Sequence, residues 1–334
     1  MRAGRITIST RHFEVVEHPI PEAGYGHVRV AVKAAGVCLS DVHLLDSTLS
    51  PGYLDGDVVT MGHEVAGVVD QIGDGVDHWT IGDRVIVCAG IRDEKGRVRT
   101  QGFDFDGGFA EFMIADAHTL VAIHEQLSFE QACIIPDAVS TPWAAITQTG
   151  QMRTGLSSAV FGIGGLGIHA VQLLKIIGSS PIIAVDPLPL ARERALLVGA
   201  DIALDPHDPE FAKKVRAITH GRGIDSAFDF AGVNAVRIQA LPLLAEGGKL
   251  IIIGIASEPI TIPSDMAFVY KRNQILGHYG SEVHHTQELV ELVRAGKLDL
   301  SSSITSVLAL EDAAQALNQL ALKADNPIRI VLCP

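Results

Sequence analysis

A chain of 334 residues that is 47% hydrophobic and 19% charged has the apolar content for large cores and too much of it for disorder, and its length suggests about two domains. The formal net charge is −13, and no segment gathers the close-spaced Lys and Arg of a nucleic-acid or anionic-membrane patch, which leaves a small molecule as the expected partner.

The first ten residues, "MRAGRITIST", lack the apolar core of a signal peptide, and every long apolar run is broken by Gly, Pro or a charge before it reaches bilayer length. A cytoplasmic protein is expected. From residue 28 to 121 the signals are short strands and turns: "HVRVAVKAAG", "EVAGVVDQIG", "GDRVIVCAG" and "GGFAEFMIA", with β-branched or aromatic residues in rough alternation. This half reads as a barrel-like all-β module. Between Ala138 and Gly277 the rhythm becomes strand, helix, strand, from "SSAVFGIG" through "PIIAVD", "DIALD" and "IDSAFDFAG", with a helix over "AVRIQALPLLAEGG" before the strand "KLIIIGI". Short apolar strands alternating with longer helical patterns predict an α/β doubly wound parallel sheet. Two helices, "TQELVELVRAGKL" and "LEDAAQALNQLAL", and a strand, "IRIVLC", follow. The expected domains are 1–139, 140–276 and 277–334, the last returning to the first. The cysteines Cys38, Cys88, Cys133 and Cys333 lie far apart with no CxxC pair, which argues against a disulfide framework and against a four-cysteine zinc cluster.

In "AVFGIGGLGIHAVQLLKIIG" the pattern Gly162-x-Gly164-Gly165-Leu166-Gly167 follows a strand and opens a helix. That context is the dinucleotide fingerprint: glycines permit the tight turn and let backbone approach a pyrophosphate, and the helix N-terminus supplies amide donors. Asp186 closes the next strand, where an acid accepts hydrogen bonds from adenosine ribose hydroxyls and repels a 2′-phosphate, favouring NAD over NADP. A helix-capping role for Asp186 is the alternative; no Arg or Lys immediately follows it to meet a phosphate, and Arg192 and Arg194, a few positions on, leave NADP as the second choice.

Six residues of "GVCLSDVH", Cys38 to His43, hold a thiol, a hydroxyl, a carboxylate and an imidazole, and "MGHEVAG" offers His63 and Glu64 downstream. Ligands spread this widely suit a catalytic metal site, since structural zinc sites favour close pairs. Cys38 as a small buried hydrophobe and His63 as a hydrogen-bonded core residue are the alternatives, and a third ligand is needed.

"GVCLSDVH", "MGHEVAGVV", "IGDRVIV", "DGGFAEF", "PDAVSTPWAAI" and the glycine loop stand in the order and spacing of the medium-chain, zinc-dependent alcohol dehydrogenases, which the sequence resembles over nearly its whole length. The resemblance implies a GroES-like β-barrel catalytic domain, a Rossmann domain and a C-terminal return to the catalytic domain. It implies one catalytic zinc on Cys38, His63 and Asp137, the last standing where many members carry Cys; Cys133, four residues away, is a second candidate. Glu64 matches an acid beside the metal, Ser40 a hydroxyl that touches the substrate oxygen, and His43 the outer base of a proton relay, while Asp41 is expected to be structural. Thr141 would face the nicotinamide, Gly232 and Gly254 would border the cofactor cleft, and Arg329 would lie near the pyrophosphate.

One departure concerns "CAGIRDEKGRVRTQGFDFDGG", where many members hold a second, structural zinc on four cysteines. It contains only Cys88, so that metal is expected to be absent and the segment to form a polar loop. The reading is an NAD-dependent alcohol dehydrogenase, forming a homodimer or homotetramer. A zinc-free NADPH-dependent enone or quinone reductase and a non-catalytic cofactor-binding protein are the rivals. The substrate pocket is expected to draw on Leu49, Ala89 and Trp143, and the small Ala89 would widen it toward secondary, cyclic or aromatic alcohols.

Overall fold

The computed structural model describes residues 1–92, 95–256 and 258–334, which divide into two compact units, Met1–Ser140 with Ser281–Pro334, and Thr141–Gly280. No described helix is long and apolar enough to cross a membrane.

The first unit is organised by the strand His27–Val37, whose alternating residues bury Val28, Val30 and Val32 on one face. One edge of it pairs antiparallel with Glu64–Ile72, which pairs in turn with Arg84–Val87, and that strand with Leu120–Ala122. Its other edge is shared: Phe112–Asp116 takes the first half and Arg329–Cys333 the second. Register places Gly36 opposite Glu64 on one side and Val331 on the other. A three-stranded sheet of Arg2–Thr7, His12–Glu17 and Val58–Thr60 packs on the same apolar core through Ile6 and Val59.

The second unit is a six-stranded parallel sheet. Numbered along the chain, Ser158–Phe161, Ile182–Val185, Ile202–Leu204, Ile224–Asp229, Leu244–Ile252 and Gln274–Gly277 lie in the order 3-2-1-4-5-6, the order of dinucleotide-binding folds. Fully buried strands such as Ile182–Val185 read as unbroken apolar runs because helices cover both faces of such a sheet.

Two local expectations are corrected, and one strand is added. The helix read over residues 235–248 ends at Ala240, continues as a 3-10 turn Leu241–Leu243, and gives way to strand at Leu244. Pro242 lacks the amide that a continuing helix needs, and its ring would crowd the preceding turn. The polar loop expected near Cys88 contains a two-stranded ribbon, Gly90–Arg92 with Val98–Thr100. Beyond the two C-terminal helices the chain also carries Ile304–Ala309, a strand parallel to Arg329–Cys333 that the sequence reading passed over.

Candidate metal and dinucleotide sites

Cys38 sits at the N-cap of the helix Leu39–Leu45, in extended backbone, where the strand His27–Val37 turns into the helix. Asp41, in the first turn, accepts the Cys38 amide on Oδ2 at 2.9 Å and places Oδ1 3.3 Å from His63 Nδ1. One fully buried carboxylate thus holds both the loop that carries the thiol and the ring of the imidazole. With Asp41 beside Nδ1, Nε2 is the ring nitrogen turned toward Asp137, and an outer carboxylate in that position can orient a metal-binding histidine. Asp41 is expected from the sequence to be structural; its three-residue spacing from Cys38 is visible there, whereas its reach to His63 is set by the fold.

His63 Nε2 faces Asp137 Oδ2 at 3.6 Å, and Cys38 Sγ lies 3.4 Å from the same oxygen. Asp137 arrives from 99 positions beyond Cys38, on the π-helical turn Ile135–Val139. Cys38, His63, Glu64 and Asp137 each offer a ligand atom, all within 4.8 Å of one another. Tetrahedral zinc with bonds of about 2.0–2.3 Å requires ligand atoms about 3.3–3.8 Å apart, so both measured edges fit. A thiolate, an imidazole and a carboxylate form a donor set suited to zinc, and Glu64 adds a second carboxylate beside it. Cys133 lies outside this group; its buried thiol donates to the Glu130 carbonyl at 3.3 Å, and burial raises its pKa well above the ordinary value.

Glu64 is wholly buried, with Arg329 Nη2 3.0 Å from its Oε1 and 3.9 Å from Asp137 Oδ2. Glu64 fits only because residue 36 is glycine: a Cβ there would come within 2.1 Å of its Oε2. Burial pushes the Glu64 carboxyl up to about 8; Arg329 opposes the rise and the neighbouring Asp137 adds to it. Burial alone disfavours the imidazolium of His63, but Asp41 and Asp137 lift its pKa well above the ordinary value. Three carboxylates facing one guanidinium and one imidazole make a pocket that retains protons until another cation replaces them.

Ser40 Oγ lies 3.7 Å from Cys38 Sγ, and His43, one helical turn on, has Nδ1 3.6 Å from Asp46 Oδ2. Cys88, in the segment where structural zinc was considered, donates its thiol to Thr286 Oγ1 at 3.3 Å, and burial raises its pKa to about 11.

In the second unit Gly162 takes φ +86, and a Cβ there would strike the Ala231 amide at 2.8 Å; one on Gly167 would meet the Gly162 carbonyl at 1.9 Å. Around Gly164 nothing lies within 4 Å of that direction, so the open side of the turn is there. Leu166 is the N-cap of the helix Gly167–Ile177, and the Gly165 carbonyl contacts His169 Nδ1 at 2.7 Å. Asp186 accepts the Ile163 amide on Oδ2 and the Leu188 amide on Oδ1, both at 2.8 Å, tying the end of the second strand to the glycine turn. Arg192 spends its Nη1 on the carbonyls of Asp186 and Pro187, at 2.7 and 2.8 Å, and reaches Asp205 at 3.3 Å. Gly232 and Gly254 are packed so closely that a Cβ on Gly254 would lie 2.3 Å from the Gly232 amide. Asp229 holds that turn by accepting from Ala231 and Gly232, and pairs with buried Arg237 at 2.7 Å. The sequence reading missed this pair. Thr141 is buried in the helix Ser140–Ala144.

An alcohol dehydrogenase GroES-like domain matches residues 24–125, and a zinc-binding dehydrogenase domain matches residues 165–295. The chain is 30% identical to the NDMA-dependent alcohol dehydrogenase of Amycolatopsis methanolica, over 92% of each chain. It belongs to the zinc-type medium-chain alcohol dehydrogenase family. Among solved structures, the 2R,3R-butanediol dehydrogenase of Bacillus subtilis shares 25% identity with a TM-score of 0.90, covering 100% of this chain and 99% of its own. An NAD-dependent alcohol dehydrogenase shares 28% at a TM-score of 0.90, with both chains covered completely. As a member of the family the chain is an oxidoreductase acting on CH–OH groups, with alcohols or carbonyl compounds as its substrates.

Proposed function

We propose that the enzyme is a zinc-dependent, NAD-linked alcohol dehydrogenase that oxidises a secondary alcohol and runs reversibly toward the carbonyl. The observation that carries this reading is the convergence of Cys38, His63 and Asp137 at tetrahedral spacing, from positions far apart in the chain. Those three residues would hold the zinc, with Glu64 beside it. Bound zinc supplies Lewis acidity, lowering the pKa of an alcohol hydroxyl as it does that of water. Asp41 keeps His63 in the tautomer that presents Nε2. Arg329 would offset the carboxylates around the cluster.

NAD supplies the hydride acceptor. Gly162, Gly164, Gly165 and Gly167 would admit the pyrophosphate to the open side of the turn, where Leu166 and the helix start present amides. Asp186 would take the adenosine ribose and disfavour a 2′-phosphate, a preference supported by Arg192 being engaged with backbone carbonyls. Gly232 and Gly254 would border the cofactor, and Thr141 would contact the nicotinamide. Ser40 would orient the substrate hydroxyl and pass on its proton, which His43 takes toward solvent. The similarity to a butanediol dehydrogenase favours secondary alcohols, in keeping with the small Ala89.

The test is zinc per chain by elemental analysis, with NAD-linked oxidation of primary, secondary and cyclic alcohols, on wild type and Asp137→Ala. One zinc per wild-type chain, lost together with activity in the variant, is the expected result. Retained activity without zinc would overturn the reading in favour of a zinc-free reductase.

A further inference from the structure

The helix Leu39–Leu45 carries more polar chemistry on one face than its length requires. Ser40, His43 and Asp46 follow at three-residue steps, the spacing that places side chains on one side of a helix. Exposure grows along them: Cys38 is buried, the His43 side chain is 24% exposed and that of Asp46 48%. We propose that Asp46 is a positioning residue for His43, the outer end of a polar stripe Ser40–His43–Asp46 that passes the substrate proton to water; the inference rests on the dehydrogenase reading above.

Asp46 is held in place by the turn it begins. Its amide donates to the Val42 carbonyl at 3.0 Å, its Oδ1 accepts the Thr48 amide at 2.8 Å, and the Leu49 amide closes on the His43 carbonyl at 2.9 Å. Arg11 braces the same segment, donating to the Leu44 carbonyl and to Ser50 Oγ, each at 2.8 Å. With Oδ1 engaged, Oδ2 is the oxygen that faces His43 Nδ1, at 3.6 Å. That is an ion-pair distance, longer than a hydrogen bond, and it makes Asp46 the acid set beside the ring. Nδ1 of His43 is itself buried and has no hydrogen-bond partner among the described residues.

Among the described residues, the charged groups on and beside this helix are engaged elsewhere. Asp41, on the same helix, is committed to the Cys38 amide and to His63. Arg11 is a cation directed at backbone carbonyls. The helix Ala313–Ala321, packed against this one, carries no titratable side chain. The thiol of Cys38 is directed to Ser40 and Asp137.

A carboxylate at Nδ1 keeps the ring proton there and leaves the Nε2 lone pair open. During oxidation the proton lost from the substrate hydroxyl is taken up at Nε2 while Nδ1 keeps its own. The C–H bond breaks with its electron pair going to nicotinamide as hydride. The imidazolium then returns one proton to water, so charge and atoms balance for each turnover.

The test is nitrogen-15 NMR of the His43 ring at mildly alkaline pH, in zinc-loaded wild type and in Asp46→Ala and Asp46→Ser, with the signal assigned by its loss in His43→Gln. Serine keeps an oxygen for the Thr48 amide but is too short to reach the ring, so it carries the comparison if the alanine variant folds poorly. The expected result is the Nδ1–H tautomer in wild type and a shift toward Nε2–H in both variants. The kcat for alcohol oxidation should fall roughly tenfold, with KM for NAD unchanged. An unaltered tautomer in both variants sinks the proposal. Should zinc-loaded wild type oxidise no alcohol with NAD, the dehydrogenase reading fails, while the ring spectra still decide whether Asp46 governs His43.

Discussion

The metal cluster and the glycine turn are built on opposite principles. Around Cys38 the chain crowds three carboxylates, a thiol, an imidazole and a guanidinium into buried space, each side chain needed for its chemistry. Around Gly162 it removes side chains, so that backbone can pack on backbone and amides can face outward. The first arrangement is tuned by charge and is sensitive to pH and to the loss of any one group. Volume governs the second, which tolerates a methyl group or fails according to which glycine receives it.

The largest expected effect lies in the cluster. Cys38→Ala should lose the bound zinc and lower NAD-linked turnover by about a hundredfold or more, measured by metal analysis and kcat/KM. If turnover persists in a zinc-free variant, the two sites do not differ in the way described. Next comes the pH dependence of the metal-free protein. Glu64 is raised from 4.5 to about 8, so between those values the folded state holds a proton that the unfolded chain has released. Its contribution is complete below the lower value and is lost as pH rises through the upper one, on the order of a few kcal/mol. Urea unfolding of the metal-free protein should show that downward slope, and Glu64→Gln should flatten it.

For the glycine turn the expected effects are smaller and split by position. Gly167→Ala forces a Cβ against the Gly162 carbonyl and should cost about 1–3 kcal/mol, seen as a lower melting temperature. Gly164→Ala meets nothing within 4 Å and should leave stability within about 0.5 kcal/mol while weakening NAD binding by calorimetry. Equal NAD affinity in wild type and Gly164→Ala would remove the pyrophosphate from that turn.

Backbone patterns were the most legible part. The alternation of apolar strands and helices announces a parallel sheet because each strand is buried on both faces, and a strand of four residues such as Ile182–Val185 shows this without tertiary information. The boundary at Leu244 was misplaced because the helical pattern runs past Pro242 with no apolar break. Cys38, His63 and Asp137 could be grouped only through family resemblance, since nothing local tells a ligand from a core residue. The roles of Asp41, Gly36 and Arg329 in the cluster were hidden for another reason. Each depends on where a side chain points across sheet neighbours, as when Arg329 stands 3.0 Å from Glu64 and its Nη1 donates to the Val37 carbonyl, 292 positions away.

That last contact bears on the order of biosynthesis. The thiol and imidazole leave the ribosome early, whereas the strand Arg329–Cys333, which completes the edge of His27–Val37 and delivers the guanidinium, follows Val37 by 292 positions. A nascent chain therefore exposes metal donors long before their counter-charge and their sheet neighbour exist. A chain cut short before Arg329 would carry the Glu64 carboxyl without its guanidinium partner and would leave the edge of His27–Val37 unpaired at Ala35–Val37.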